Sequence, residues 1–340
     1  RLLLQRVAPP QLLAVRNAQF MTVSGQESAG RTPLALAGHR LRDFNISLDG
    51  TLLATLSEDN RLEVWDALAV LADEPAQPTM MPALPGALLG FGMDWLPGRE
   101  ALLLNVSEHG LHRLYTLDVR TGVWTAFTPD HLAVVSYWPA PDSRHVAVVG
   151  QQHSEYGLWI FDLESEAVRR ILEPGNGVIP LVDVTWSPDT ARLAVAGQPT
   201  GSNLVAVWVV GADGTGLQRI TPYAEHAVAP MWSPDGAWIA YLRDTGSGQG
   251  CWVDLSIVRP DGSDRHLVLR NSLPVAWAAD SSGLILESDL ALPGAALGAM
   301  VDVAVNGTVR RVILPLQDAD VNSWLCHPNG MLSHWYRGTP

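Results

Sequence analysis

Three sets of side chains in this 340-residue chain have the types and spacing to do chemistry. Glu108, His109 and His112 set a carboxylate beside a His-x-x-His pair, the donor types of a transition-metal site. A metal needs three or four convergent ligands, and the spacing is not that of the helical His-Glu-x-x-His motif, so no metal ligand is assigned. Asp43, Asp183 and Asp320 fall near the starts of apolar β runs and would be the carboxylates of a calcium ion, which takes six to eight oxygen ligands. Equivalent positions elsewhere hold Gly92, Val135 and Pro274. The acids therefore do not fill one column and read as scattered surface carboxylates. The third set is aromatic: Trp95, Trp138, Trp186, Trp232 and Trp277 recur at one point of a repeat. Such rings either stack on sugars or supply one core anchor per repeat, and the regular spacing favours the core.

Other chemistries are absent. There is no Gly-x-Ser-x-Gly nucleophile elbow, and every basic side chain is Arg, so a phosphate-loop lysine is impossible. The Gly-rich stretches 211–216 and 246–250 lack a following helix to hold a phosphate. Cys251 and Cys326 form no Cys-x-x-Cys pair. Accordingly no catalytic residue and no cofactor is assigned. Asp213, Asp261 and Asp264 lie in hairpin turns, where Asp bonds its own backbone. Asn45, Asn105 and Asn306 head Asn-x-Ser/Thr sequons.

The elements that would carry these residues announce themselves by repetition. Trp186-Ser-Pro-Asp189 and Trp232-Ser-Pro-Asp-Gly236 are the clearest copies. Weaker ones begin at Ile46, Trp95, Trp138, Trp277 and Cys326, at intervals of 43 to 49 residues. A period of about 40 to 50 residues carrying four short β runs is the signature of a propeller blade. In the copy headed by Trp232 the runs are 229–232, 238–242, 253–259 and 266–269, joined by Asp-Gly turns that need positive φ. Ala67 to Ala72 and Glu164 to Leu172 have helix-compatible composition, but no stretch sustains a helical apolar stripe. The expected fold is all-β: a seven-bladed β-propeller of four-stranded antiparallel blades in one domain, 1–340. Blades would start near residues 43, 90, 133, 181, 228, 273 and 320. Residues of about 11–37 would complete the last blade, closing the ring with N- and C-terminal strands and protecting the sheet edges. Six or eight blades are the alternatives.

The stretch Trp232-Ser-Pro-Asp-Gly236 followed by Ala237-Trp-Ile-Ala-Tyr241 resembles the repeat of TolB-like propellers. Residues 186–196 are its second copy. The first blade is instead similar to a WD repeat, with Gly38-His39, Leu48-Asp-Gly50 and Val64-Trp-Asp66 in order. These resemblances imply a protein-binding scaffold, in the cell envelope if TolB-like or within a larger assembly protein if WD-like.

Composition limits the partners. The 22 basic and 35 acidic side chains give a net charge of −13, which disfavours nonspecific nucleic-acid binding. Charged residues are 17% of the chain against 47% hydrophobic, well below the roughly 25% charged that is usual. There is no run of 18 apolar residues, so no membrane-spanning helix is expected. Beginning at Arg1, the sequence reads as a processed protein or an excised piece of a longer one. Compartment is open, leaning to the cell envelope or exterior, with a cytoplasmic assembly as the alternative.

The loops between second and third strands are long in blades four, five and six: 197–203, 243–251 and 288–298. They would raise one sector of a single face, where binding residues concentrate. The expected partner contacts are Tyr223, His226, Arg243, Asp244 and Trp252. The function expected is a noncatalytic protein-interaction platform, not an enzyme. The alternatives are a calcium-dependent lactonase or esterase and a carbohydrate-binding propeller.

Overall fold

The structure is a computed structural model. It describes residues 2–6, 11–16, 19–24, 31–34, 41–47, 49–71, 77–108, 110–244, 253–288 and 299–315. The chain divides into two compact units, residues 1–144 and 145–340.

The first unit opens with a four-stranded antiparallel meander of β1 (Leu2–Arg6), β2 (Gln11–Arg16), β3 (Gln19–Ser24) and β4 (Arg31–Leu34). A three-stranded sheet follows, β5 (Leu41–Ile46), β6 (Leu52–Ser57) and β7 (Leu62–Asp66), and then the five-residue helix α1 (Ala67–Leu71). The next sheet is β8 (Ala87–Trp95), β9 (Ala101–Glu108), β10 (Leu111–Asp118) and β11 (Trp124–Ala126), and β12 (Ala133–Pro139) ends the unit. Its core joins Leu56 and Val64 of one sheet to Trp95, Leu102, Leu104 and Leu117 of the next.

The second unit begins with the antiparallel run β13 (His145–Gln152), β14 (Glu155–Asp162) and β15 (Val168–Leu172), then a 3-10 turn η1 (Pro174–Asn176). Three four-stranded meanders follow. The first is β16 (Val178–Trp186), β17 (Arg192–Pro199), β18 (Ala206–Gly211) and β19 (Gln218–Arg219), with η2 (Tyr223–Glu225) leading to the second. The second is β20 (Val228–Trp232), β21 (Ile239–Asp244), β22 (Val253–Val258) and β23 (His266–Leu269). The third is β24 (Ser272–Trp277), β25 (Gly283–Ser288), β26 (Ala299–Ala304) and β27 (Val309–Pro315).

The chain is thus all-β, built of antiparallel sheets that are mostly four-stranded. Second strands such as β13 and β17 bury five consecutive residues, as strands covered on both faces must. Facing sheets supply the cover: Leu242 and Leu255 share one core with Leu284, Leu286, Val301 and Val303. The runs within 11–37, expected to finish the last blade, occupy positions two to four of a sheet whose first strand is Leu2–Arg6. Local hairpins suffice for that sheet. The repeat copy at Cys326 lies outside the described residues. Of the two helix-compatible stretches, the first gives α1 and the second ends in strand β15.

The repeated turn has a specific chemistry. In Ser233-Pro-Asp-Gly236 the Ser233 hydroxyl donates to Asp235 Oδ1 at 2.6 Å and accepts from Trp238 N–H at 2.9 Å. Asp235 also accepts from Ala237 N–H at 2.9 Å, and Gly236 takes φ 70°. The same bonds form at Ser187/Asp189 and Ser47/Asp49. A short side chain that bonds its own backbone is what fixes such a turn. At the other hairpin of each sheet, Gly214 and Gly262, at φ 86° and 85°, seat over the backbones of Ile171 and Ile220 in the preceding sheet. A Cβ would be strained at that φ, so glycine marks the docking point.

Candidate functional site

The tryptophan column resolves first. Trp95, Trp186, Trp232 and Trp277 are buried at the ends of first strands, and Trp138 is half-buried. Trp95 Nε1–H donates to Asn45 O at 3.0 Å and Trp277 Nε1–H to Met231 O at 3.1 Å, each tying one first strand to the preceding sheet. The four buried rings are core anchors.

Glu108 is engaged within its own sheet: it accepts the Tyr115 hydroxyl at 2.7 Å and pairs with Arg113 at 3.6 Å. His112 is half-buried, and His109 lies outside the described residues. Among the described residues no three His, Cys, Asp or Glu side chains are grouped to hold a metal. Asp43 and Asp183 both sit at bulges of first strands, Asp43 accepting from Phe44 N–H at 2.9 Å. Asp320 lies outside the described residues. Of the sequons, Asn45 and Asn105 are buried while Asn306 is exposed in a turn.

The strongest polar assembly lies between η2 and the sheet that follows it. Pro222, extended at φ −73° and ψ 148°, starts η2, and His226 in the left-handed region at φ 43° ends it. This short turn holds Glu225 against the neighbouring strands. Glu225 accepts the Tyr241 hydroxyl at 2.7 Å and pairs with Arg265 Nε at 3.2 Å and Arg243 Nη1 at 3.9 Å. Arg243 Nη2 bonds Asp254 Oδ2 at 3.2 Å, and Asp254 Oδ1 accepts Asn271 N–H at 3.3 Å. The side chain of Asp254 is 2% exposed, against 29% for Arg243 and 39% for Arg265. Burial and the bonded Glu225 carboxylate push the Tyr241 phenol well above its ordinary range.

Two carboxylates and two guanidiniums therefore balance, graded from a buried Asp to a half-exposed Arg. Among the described residues, Arg243 Nε is buried with no acceptor. The accessible fork is Arg265, and a planar guanidinium recognises carboxylates and carbonyls.

The expected contact residues divide. Tyr223, His226 and Arg243 are brought together through Glu225. Tyr223 is committed to packing, with Trp208 at 6.4 Å and the Arg219 guanidinium 4.1 Å over its ring. His226 is exposed. Asp244 pairs with Val253 through its backbone, and Trp252 lies outside the described residues. Sequence reading missed Glu225, Tyr241, Asp254 and Arg265. The available signal was Asp254, a lone charge inside the apolar run of β22.

No protein-family model matches the chain. It is 27% identical over 123 residues to the Tol-Pal system protein TolB of Anaeromyxobacter dehalogenans, covering 36% of this chain and 27% of that protein. It is 29% identical over 192 residues to a probable dipeptidyl-aminopeptidase B of Trichophyton verrucosum, covering 44% of this chain and 21% of that protein. The matches thus span less than a third of these relatives' own length. Among solved structures, a putative TolB from Agrobacterium tumefaciens superposes with TM-score 0.51 at 18% identity, over 71% of this chain and 84% of that one. A puromycin hydrolase mutant complexed with PGG gives TM-score 0.62 at 15% identity, over 92% and 53%.

The fold is that of a TolB-like β-propeller. The expectation of a chain outside enzymology is corrected by the same comparisons, because a probable dipeptidyl-aminopeptidase and a dipeptidyl-peptidase are among the proteins its sequence matches. The physical reason is that a missing nucleophile elbow or lysine removes two reaction classes and leaves the others open.

Proposed function

We propose that the chain binds protein or peptide, and that the cluster of Glu225, Arg243, Asp254 and Arg265 with its His226 rim is the contact sector. The observation that carries this reading is a charge-balanced network that runs from buried Asp254 to half-exposed Arg265, whose guanidinium reaches the surface. A peptide offers backbone carbonyls and carboxylates in the spacing such a fork accepts. The TolB and dipeptidyl-aminopeptidase relatives support a protein or peptide ligand. The reading extends to the architecture: a single propeller of seven blades over 1–340, with blades four to six forming the contact sector.

The test is a random-sequence peptide array probed with the labelled full chain and with a His226→Ala/Arg265→Ala variant. Loss of most array binding in the variant, with an unchanged melting temperature, is the expected result. Equal binding by both proteins would sink the reading. A second reading follows from the peptidase and hydrolase relatives: the bound peptide is a substrate, held here while it is cleaved. Cleavage of array-selected peptides by the natural full-length protein distinguishes the two.

A further inference from the structure

A different carboxylate remains unused by that cluster. Asp183 sits on β16 within the bulge between Pro180 and Val184, and β20 carries a bulge of its own between Val228 and Met231. Bulges re-aim side chains and recur beside binding sites. Asp183 Oδ2 accepts Ala229 N–H at 3.3 Å across the two first strands, a long bond and the one it makes among the described residues. Ala229 adopts φ 51°, a left-handed conformation disfavoured for a residue with a Cβ. Backbone strain is therefore held where the N–H meets this carboxylate.

Among the described residues no cation is paired with Asp183. β20 (Val-Ala-Pro-Met-Trp) has no ionisable side chain, and β17 has only Arg192, whose guanidinium lies 5.0 Å over Trp232. β13 offers only His145. β14 and β15 offer Glu155, Tyr156, Asp162, Arg169 and Arg170, and Arg170 is shared between Glu155 and Glu173. None of these acts on Asp183; burial and the Ala229 N–H do. A desolvated carboxylate with one long hydrogen bond has unmet capacity for a donor.

We infer that Asp183 is the anchor for a guanidinium group of a ligand, with Leu181 and Val228 of the same two strands as apolar neighbours. Guanidinium fits better than calcium, which takes six to eight oxygen ligands, and no such group of acids gathers among the described residues. Guanidinium is also weakly hydrated, so it tolerates apolar walls that a compact ammonium or metal ion does not. Burial raises the Asp183 carboxyl to about 6, so the anchor is charged at pH 7.5 and neutral at pH 5.

The experiment is a titration of the isotope-labelled full chain with N-acetyl-arginine amide, following the Ala229 backbone amide resonance by NMR. A saturable shift is expected at pH 7.5. It should weaken about ten- to a hundred-fold in Asp183→Asn, which keeps an acceptor for Ala229 N–H but loses the charge, and weaken likewise at pH 5. Asp183→Glu should retain binding, which guards against a folding defect in the first variant. An Ala229 shift equal in wild type and Asp183→Asn, no shift at all, or a shift with calcium chloride alone would overturn the assignment. Asp183 and the Arg265–Glu225 pair share no bond among the described residues, so Arg265→Ala alone should titrate as wild type does.

Discussion

The Tyr241 hydroxyl, deep in the second strand of its sheet, donates 2.7 Å to Glu225 in the connector that precedes the same sheet. Because Tyr241 is fully buried, this bond ties the connector to the interior of the sheet. Replacing Tyr241 with Phe removes the donor and leaves Glu225 to its arginines. The expected cost is about 1–3 kcal/mol, since a partly buried carboxylate loses one of its partners. Urea unfolding monitored by tryptophan fluorescence measures it.

Arg243→Met tests the other half of the cluster. It strands Asp254, whose side chain is nearly inaccessible. Breaking a fully buried pair costs about 3–5 kcal/mol, and the partial exposure of Arg243 places the expected loss at the lower end or below. Asp254→Asn in the Arg243→Met background should recover part of it. A double-mutant cycle of denaturation midpoints decides.

The repeated turn gives a cleaner case. Ser233→Ala removes the hydroxyl that bonds both Asp235 and Trp238 N–H, at an expected cost of about 1 kcal/mol. Gly236→Ala, at φ 70°, should cost a similar amount by left-handed strain. Thermal unfolding should show both lowering the midpoint, and an unshifted Ser233→Ala would contradict the turn chemistry.

Acid titration carries a sign that separates two groups of carboxylates. Asp183 is raised from 3.8 to about 6, so the native state binds more protons than the unfolded one in that window. Stability from this residue is present below about pH 4 and is lost as pH rises toward 6, with a slope of at most about 1.4 kcal/mol per unit. The turn acids act oppositely. Asp49 and Asp189 are lowered, first by the hydroxyls of Ser47 and Ser187 and then by backbone N–H groups. Their contribution is present above the ordinary carboxylate range and lost as pH falls through the lowered values. In Asp183→Asn the loss of stability between pH 4 and 6 should flatten, while the acid limb remains.

Much of the fold was legible because three sheets spend the same few residues on their first hairpin, at Ser47, Ser187 and Ser233. Ser233, Asp235 and Gly236 form their turn from contacts five residues apart or fewer, and local chemistry is written locally. The tryptophans were legible too, since one indole per repeat at a strand end is what packing against the preceding sheet requires. The cluster was not. Glu225, Tyr241, Arg243, Asp254 and Arg265 come from a connector and separate strands or turns, and only the folded sheet sets them side by side. Tyr223 misled for the related reason that an aromatic beside a loop also serves to fill the space over Trp208. The N-terminal runs misled because hairpin pairing among β1 to β4 needs no distant strand.

Gly214 and Gly262 seat on Ile171 and Ile220, and the Asp235 N–H reaches the Ser281 hydroxyl of the next sheet at 3.0 Å. Neighbouring meanders in this unit thus meet through their hairpins. Such a row behaves as a chain of coupled links, where the energy of one link depends on whether the next is closed. Damage at one hairpin should therefore loosen the adjoining meander before more distant ones, and amide exchange after Gly262→Val should spread outward from Ile220 in that order.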